Sequence, residues 1–140
     1  MENLKRFTDA QKSDYATALS EIKNGRKRSH WMWYIFPQIQ GLGYSSISKH
    51  YALQNGQEAE AYLQHPELGS RLIEISQVLL ELEGNNATKV FGTPDDLKLR
   101  SSMTLFASVP GADPVFEQVL KKYFNGAKDE NTLRILARQG

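Results

Sequence analysis

The chain has 140 residues, of which 40% are hydrophobic and 24% are charged, and its 17 basic and 16 acidic side chains leave a net charge of +1. This size and composition are typical of one globular domain. The balanced charge argues against a general nucleic-acid coat or a membrane-surface protein, which would carry a one-sided excess. The absence of cysteine excludes disulfides, thiolate nucleophiles and cysteine-ligated metal sites.

The N-terminus, Met1–Arg6, is charged and lacks the apolar core of a signal peptide. No apolar run approaches the roughly 20 residues that a membrane-spanning helix needs. We therefore expect a cytoplasmic protein with no membrane partner, and a chain without cysteine suits that reducing compartment.

The first predicted helix covers residues 13–24, where apolar side chains recur at the spacing of one helical face. Ser13 is its predicted N-cap and Asn24-Gly25 its stop, and a short helical turn around residues 4–7 precedes it. Residues 31–36 follow as an unbroken apolar and aromatic run. Its periodicity is compatible with either a buried strand or a buried helix, and Pro37 ends it.

The rest of the chain predicts six more helices. They cover residues 45–53, 58–64, 67–83 and 93–107, the segment between Asp113-Pro114 and Asn125-Gly126, and residues 130–138. Thr93 is the predicted cap of the fourth segment, with Pro94 as its first residue. Strand signals are scarce. The sequence therefore predicts an all-α fold, a compact multihelical single domain over residues 1–140 with about six to eight helices.

The strongest candidate for a functional segment is the basic run Gly25-Arg26-Lys27-Arg28 followed by Ser29, His30 and both tryptophans, Trp31 and Trp33. Cations and aromatic rings together suit an anionic, flat ligand. Two structural interpretations compete with this one. Large aromatic side chains dominate hydrophobic cores, and cations after a helix stabilise its negative end.

Two further segments bear on this hypothesis. Gly41-x-Gly43 precedes a serine-capped helix and would suit a phosphate, although it lacks a full nucleotide-binding motif and such glycines more often only turn the chain. The predicted helix 93–107 carries Lys98, Ser101 and Ser102. Hydroxyl groups within a helix often only donate hydrogen bonds to backbone carbonyls one turn earlier. If this helix meets residues 26–31, however, cations and hydroxyls converge on one pocket.

Metal and cofactor sites are not predicted. The three histidines, His30, His50 and His65, have no metal-ligand spacing. His30 is the one histidine beside other candidate residues, and His65 precedes a proline at a helix boundary.

The chain also resembles the domain of unknown function 1810 family, uncharacterised bacterial proteins of which some are labelled calpastatin-like. The motifs that carry the resemblance are the segment from Gly25 to Gln38, Gly41-Leu42-Gly43, His65-Pro66, Phe91-Gly92, Asp95-Asp96 with Lys98, and Ser101 to Phe106. The resemblance spans nearly the whole chain. It implies a compact, mainly α-helical protein and brings no catalytic residues.

Our first hypothesis is a protein that binds, or acts on, an anionic and nucleotide-like small molecule. Arg26, Lys27 and Lys98 would bind the negative charge of the ligand, and Trp31 or Trp33 would stack on its ring. Ser29 and Ser101 would contribute hydrogen bonds to the ligand. His30 and Ser102 would orient the ligand or transfer a proton. One alternative is single-stranded nucleic-acid binding through the basic and aromatic segment 26–36. Another is a protein–protein interaction module with a partly exposed aromatic segment.

Overall fold

The structure, a computed structural model, describes residues 4–139, so that the expectation for the extreme N-terminus, Met1–Asn3, lies outside the described residues. This part of the chain forms nine α-helices and no strand. They are α1 (Lys5–Lys23), α2 (Met32–Ile35), α3 (Ser46–Tyr51), α4 (Gly56–Gln64), α5 (Leu68–Glu81), α6 (Ala87–Phe91), α7 (Asp95–Ala107), α8 (Val115–Phe124) and α9 (Glu130–Gln139).

The all-α prediction is confirmed, but the predicted number of six to eight helices is wrong. Helix α6 was not predicted, the sequence at α2 is compatible with either a helix or a strand, and these two helices have only five and four residues. Such short elements span about one turn, too little for a helical repeat of apolar residues to show in the sequence.

Helix α1 is continuous, whereas the sequence predicted a short turn followed by a helix capped at Ser13. Ser13 instead lies inside the helix, where its Oγ donates a hydrogen bond back to the Ala10 carbonyl at 3.5 Å. Neither glycine nor proline occurs between Lys5 and Lys23, so nothing in this stretch ends the helix.

The core contains a row of aromatic side chains that joins four helices. The Phe7 ring of α1 meets the Tyr62 ring of α4 edge-on at 5.2 Å. Tyr62 in turn contacts Phe106 of α7 at 5.4 Å, and Phe106 contacts Phe116 of α8 at 5.8 Å. All four side chains are fully buried, so this row fixes how the longer helices cross.

The corner between α4 and α5 depends on His65 and Gly69. His65 Nδ1 accepts hydrogen bonds from the backbone N–H groups of Glu67 and Leu68, at 3.1 and 3.2 Å, and thereby caps α5. A Cβ atom at Gly69 would lie 2.0 Å from the Leu63 carbonyl oxygen. Only glycine lets the two helices approach this closely.

The C-terminal end of α5 is capped by a side chain of α8. Lys122 Nζ donates to the carbonyl oxygens of Leu79 at 3.0 Å and Leu80 at 2.9 Å, and also to that of Leu82. Tyr123 Oη donates to the Leu79 carbonyl at 2.6 Å. An ammonium group here satisfies carbonyls that the helix leaves unpaired and lies at the negative end of its dipole.

The start of α7 is positioned by the segment that precedes α2. The Lys27 backbone N–H donates to the Val90 carbonyl of α6 at 2.7 Å, so that residues 25–31 run beside α6 and the first turn of α7. Helix α7 begins at Asp95, and the predicted Thr93 cap is wrong. Thr93 Oγ1 instead lies 3.4 Å from a carboxylate oxygen of Asp96.

Candidate functional site

The basic run turns around a carboxylate of the protein itself. Glu21 Oε1 accepts hydrogen bonds from the backbone N–H groups of Arg28 (2.8 Å) and Ser29 (2.9 Å) and from the indole Nε1–H of Trp31 (2.9 Å). Its Oε2 accepts from Ser29 Oγ at 2.5 Å. Four donors of the segment thus converge on one anion, and this anion is a side chain of α1.

These donors explain the electrostatics of Glu21. Burial by itself would raise the pKa of its carboxyl group. The hydrogen bonds from Ser29, Arg28 and Trp31 outweigh burial and lower the pKa to about 2. Two residues of the predicted site, Ser29 and Trp31, therefore donate to a side chain of the protein itself.

A second carboxylate joins the two predicted halves of the site. Asp95, in the first turn of α7, has one oxygen 2.9 Å from Lys27 Nζ and the other 3.1 Å from Lys98 Nζ. Burial would raise the pKa of Asp95, but the hydrogen bonds and charges of both lysines lower it. Residues near 27 and residues near 100 do meet, and Asp95 lies between them.

Lys27 and Lys98 differ in what they retain for a ligand. The Lys27 side chain is only 8% exposed, and its Nζ also donates to the Ser29 carbonyl at 2.6 Å. The Lys98 side chain is 22% exposed and its hydrogen bond to Asp95 leaves two of its three N–H donors without a partner among residues 4–139. Lys98 is thus the lysine that can bind a further anion.

The two tryptophans also differ. Trp31 is 1% exposed and is packed against Phe36 and Phe91, with Lys27 Nζ 5.0 Å from its ring centroid. Trp33 is only partly buried, and Lys98 Nζ lies 4.1 Å from its ring centroid. Each lysine therefore makes a cation–π contact with one tryptophan. Of the two rings, Trp33 is the one that a ligand can reach.

The glycine loop lies beside Trp33. The Gln40 backbone N–H donates to the Leu53 carbonyl at 2.8 Å, and the Leu53 N–H donates to the Gln38 carbonyl at 2.9 Å, so that these bonds close the segment that contains the loop and α3. A Cβ atom at Gly43 would lie 2.7 Å from Ser48 Oγ, so close contact with α3 accounts for this glycine. The cavity that these residues enclose measures about 20 Å³, which is the size of a water molecule. The loop is closely packed and does not form a cradle for a phosphate group.

The other predicted site residues are distributed between surface and core. Arg26 and His30 are exposed. Ser101 is buried, and its Oγ contacts the Leu97 carbonyl at 3.2 Å and the Asp129 carboxylate at 3.1 Å. Ser102 is fully buried, and its Oγ has no hydrogen-bond partner within the described residues. A ligand could reach Ser102 only if α7 moved.

The prediction missed the role of Glu21 and gave Asp95 no role in the site. Glu21 had one detectable signal. An acidic side chain in the last turns of a helix opposes the negative end of the dipole, so its position near the end of α1 called for another explanation. Asp95 had no such signal, because an acid in a first helical turn is already favourable.

Two kinds of feature are absent from the described part of the chain. Residues 4–139 contain no group of three or more histidine and acidic side chains placed to hold a metal ion. None of the helices in this range combines the length and the apolar character needed to cross a membrane.

The chain is similar to a family of proteins and to a solved structure. Residues 1–136 match the family described as protein of unknown function (DUF1810), which confirms the resemblance noted in the sequence. The crystal structure of the conserved hypothetical protein Rv1873 from Mycobacterium tuberculosis is 46% identical, with a TM-score of 0.93 over 96% of each chain. No curated protein matches. The chain belongs to the DUF1810 family of proteins of unknown function.

Proposed function

We propose that this protein binds a small anionic ligand with a planar ring, nucleotide-like in its chemistry, on the surface where Trp33 and Lys98 meet. The supporting observation is the contact of Lys98 Nζ with both the Trp33 ring (4.1 Å) and Asp95 (3.1 Å). This contact holds a partly exposed cation against a partly exposed aromatic ring. The remaining N–H donors of Lys98 bind the anionic group, and Trp33 supplies apolar contact to the ring of the ligand.

Two carboxylates outside the predicted set of site residues support this pair. Asp95 ties Lys98 to the buried Lys27, and Glu21 fixes the turn that carries Trp31. Preorganised partners of this kind reduce the entropy lost when a ligand binds. Because the cavity under the glycine loop holds only about one water molecule, the ligand lies outside it, on the surface where Trp33 and Lys98 meet. We propose binding and assign no reaction.

Isothermal titration with a panel of nucleoside phosphates and sugar phosphates tests the proposal. Lys98→Met removes the charge and keeps the apolar stem, and we expect it to weaken binding by about tenfold, the value of one charge-assisted hydrogen bond. Trp33→Leu should weaken the binding of nucleoside phosphates more than the binding of sugar phosphates. Lys12→Met, a change at an exposed lysine of α1, is the matched control. Absence of binding by the wild type, or equal affinities of Lys98→Met and Lys12→Met, would refute the proposal.

Single-stranded nucleic-acid binding is a second candidate. It is favoured by the exposure of Arg26, Arg28 and His30 along one short segment. Since Trp31 is buried, an unpaired base would have to stack on Trp33. A gel shift with single-stranded oligonucleotides at low salt tests this candidate, and the affinity should fall steeply as salt is added. A complex unaffected by replacing both arginines with alanine would exclude it.

A further inference from the structure

A much larger cleft, of about 790 Å³, lies at the N-terminal end of α4. Four separate parts of the chain form it: Gln40 after α2, residues 54–60, residues 108–110 after α7, and the end of α9. Its volume is within the range of about 300–1,000 Å³ that is usual for small-molecule sites. Neither Trp33 nor Lys98 lines it, so it is separate from the surface described above.

Carboxamide side chains dominate the lining of this cleft. They are Gln40, Gln54, Asn55, Gln57 and Gln139. Four of the nine glutamines of the chain thus meet in a lining of eleven residues, more than an even distribution over the surface would place there. The single charged side chain of the lining is that of Glu60, and the lining has no basic residue. This composition does not favour an anionic ligand.

Two of these carboxamides have structural roles and the others are available. Asn55 Oδ1 accepts from the Glu58 backbone N–H at 2.8 Å and caps α4. Gln139 Nε2 donates to the Gln54 carbonyl oxygen at 2.8 Å and fixes the end of α9 at the edge of the cleft. The side-chain amides of Gln40, Gln54 and Gln57 make no hydrogen bond within residues 4–139.

We propose that this cleft binds a neutral, polyhydroxylated ligand of the carbohydrate class. A carboxamide presents a donor and an acceptor side by side, and a hydroxyl group both donates and accepts, so that each amide can pair with two neighbouring hydroxyls. The Glu60 carboxylate accepts from hydroxyls without needing a cation. Pro110 and Leu136 supply an apolar wall for the C–H face of a sugar ring.

The test is an NMR titration that follows the side-chain amide signals of the glutamines. The probes are glucose, maltose and N-acetylglucosamine, with tetraglycine as a peptide probe and glucose 6-phosphate as an anionic one. We expect saturable shifts of the Gln40, Gln54 and Gln57 side-chain signals with at least one neutral saccharide. We also expect Gln57→Ala to weaken that binding by about fivefold, the value of one or two neutral hydrogen bonds. Gln118→Ala, a change at an exposed glutamine of α8, should have no effect.

The outcomes separate this proposal from the one at Trp33. Lys98→Met should leave saccharide binding unchanged, since Lys98 is not part of the cleft. Absence of shifts with all three neutral saccharides would overturn the proposal. So would a response to tetraglycine alone, which would indicate a peptide groove, or equal affinities of Gln57→Ala and Gln118→Ala.

Discussion

Replacing Glu21 with glutamine tests whether an internal carboxylate organises the basic and aromatic segment. The substitution keeps the size of the side chain and one acceptor oxygen, replaces the other oxygen with an NH2 donor, and removes the charge. The pKa of Glu21 is lowered from its ordinary 4.5 to about 2 by donors from Arg28, Ser29 and Trp31. At about 1.4 kcal/mol per pKa unit this is worth about 3 kcal/mol of unfolding free energy at neutral pH. Because Glu21 is partly exposed, solvent screening reduces our expectation to about 2 kcal/mol.

The pH dependence gives this prediction its sign. A carboxyl group with a lowered pKa in the folded state stabilises the fold above the unfolded-state pKa, and this contribution is lost as the pH falls. The difference in unfolding free energy between the wild type and Glu21→Gln should thus be full at neutral pH and should close between pH 4.5 and 2. Urea unfolding followed by tryptophan fluorescence measures it. Glu81→Gln, at an exposed position of α5, is the control. A variant as stable as the wild type at neutral pH, or an equally large difference at pH 2, would refute the reasoning.

Three further predictions concern groups outside this turn. Ser102→Ala should leave ligand binding unchanged and should raise the free energy of unfolding, measured in urea, by up to about 1 kcal/mol. The reason is that it removes a buried hydroxyl that has no hydrogen-bond partner among the described residues. A large loss of binding would instead show that Ser102 contributes to the site. Lys122→Met should lower the free energy of unfolding, measured by heat or urea, by about 2–3 kcal/mol, because three carbonyl oxygens at the end of α5 lose their cation. An unchanged unfolding midpoint would contradict the capping role. Burial raises the pKa of Tyr123 to about 12, so its contribution to stability is full below pH 10 and is lost as the pH rises to 12. Tyr123→Phe should make the alkaline decline less steep, and an identical pH profile would exclude this assignment.

Apart from the start of α1, which was predicted at Ser13 and lies at Lys5, the long helices were predictable because they have a repeated apolar stripe and a residue that ends them. Asn125 adopts the left-handed conformation at the end of α8, as the Asn125-Gly126 stop predicted. Residues 31–36 were not predictable to the same degree. Nearly every side chain in that run is apolar, so no alternation shows that Trp31 lies in the core while Trp33 remains partly exposed.

For the candidate site, the proximity of two segments could be predicted from the sequence, but the contacts between their side chains could not. Basic residues near 27 and polar residues near 98 stood out by composition, and the fold does bring Lys27 and Lys98 together. Their shared partner Asp95 already had a sufficient explanation as an acid at a helix start. Long-range packing decides which lysine is paired with an acid inside the molecule, and this cannot be inferred from the order of residues in the sequence.

The two carboxylates that contact residues 27–31 differ in their distance along the chain. Glu21 precedes Trp31 by only ten residues, so a nascent chain can form this turn almost as soon as both have left the ribosome. Asp95 is synthesised much later, and until then Lys27 has no counterion from α7. The turn around Glu21 can therefore form locally, whereas docking of α7 onto it must wait for most of the chain and closes a long loop. Lys27 thus acquires its ion-pair partner only after α7 has been synthesised and has docked.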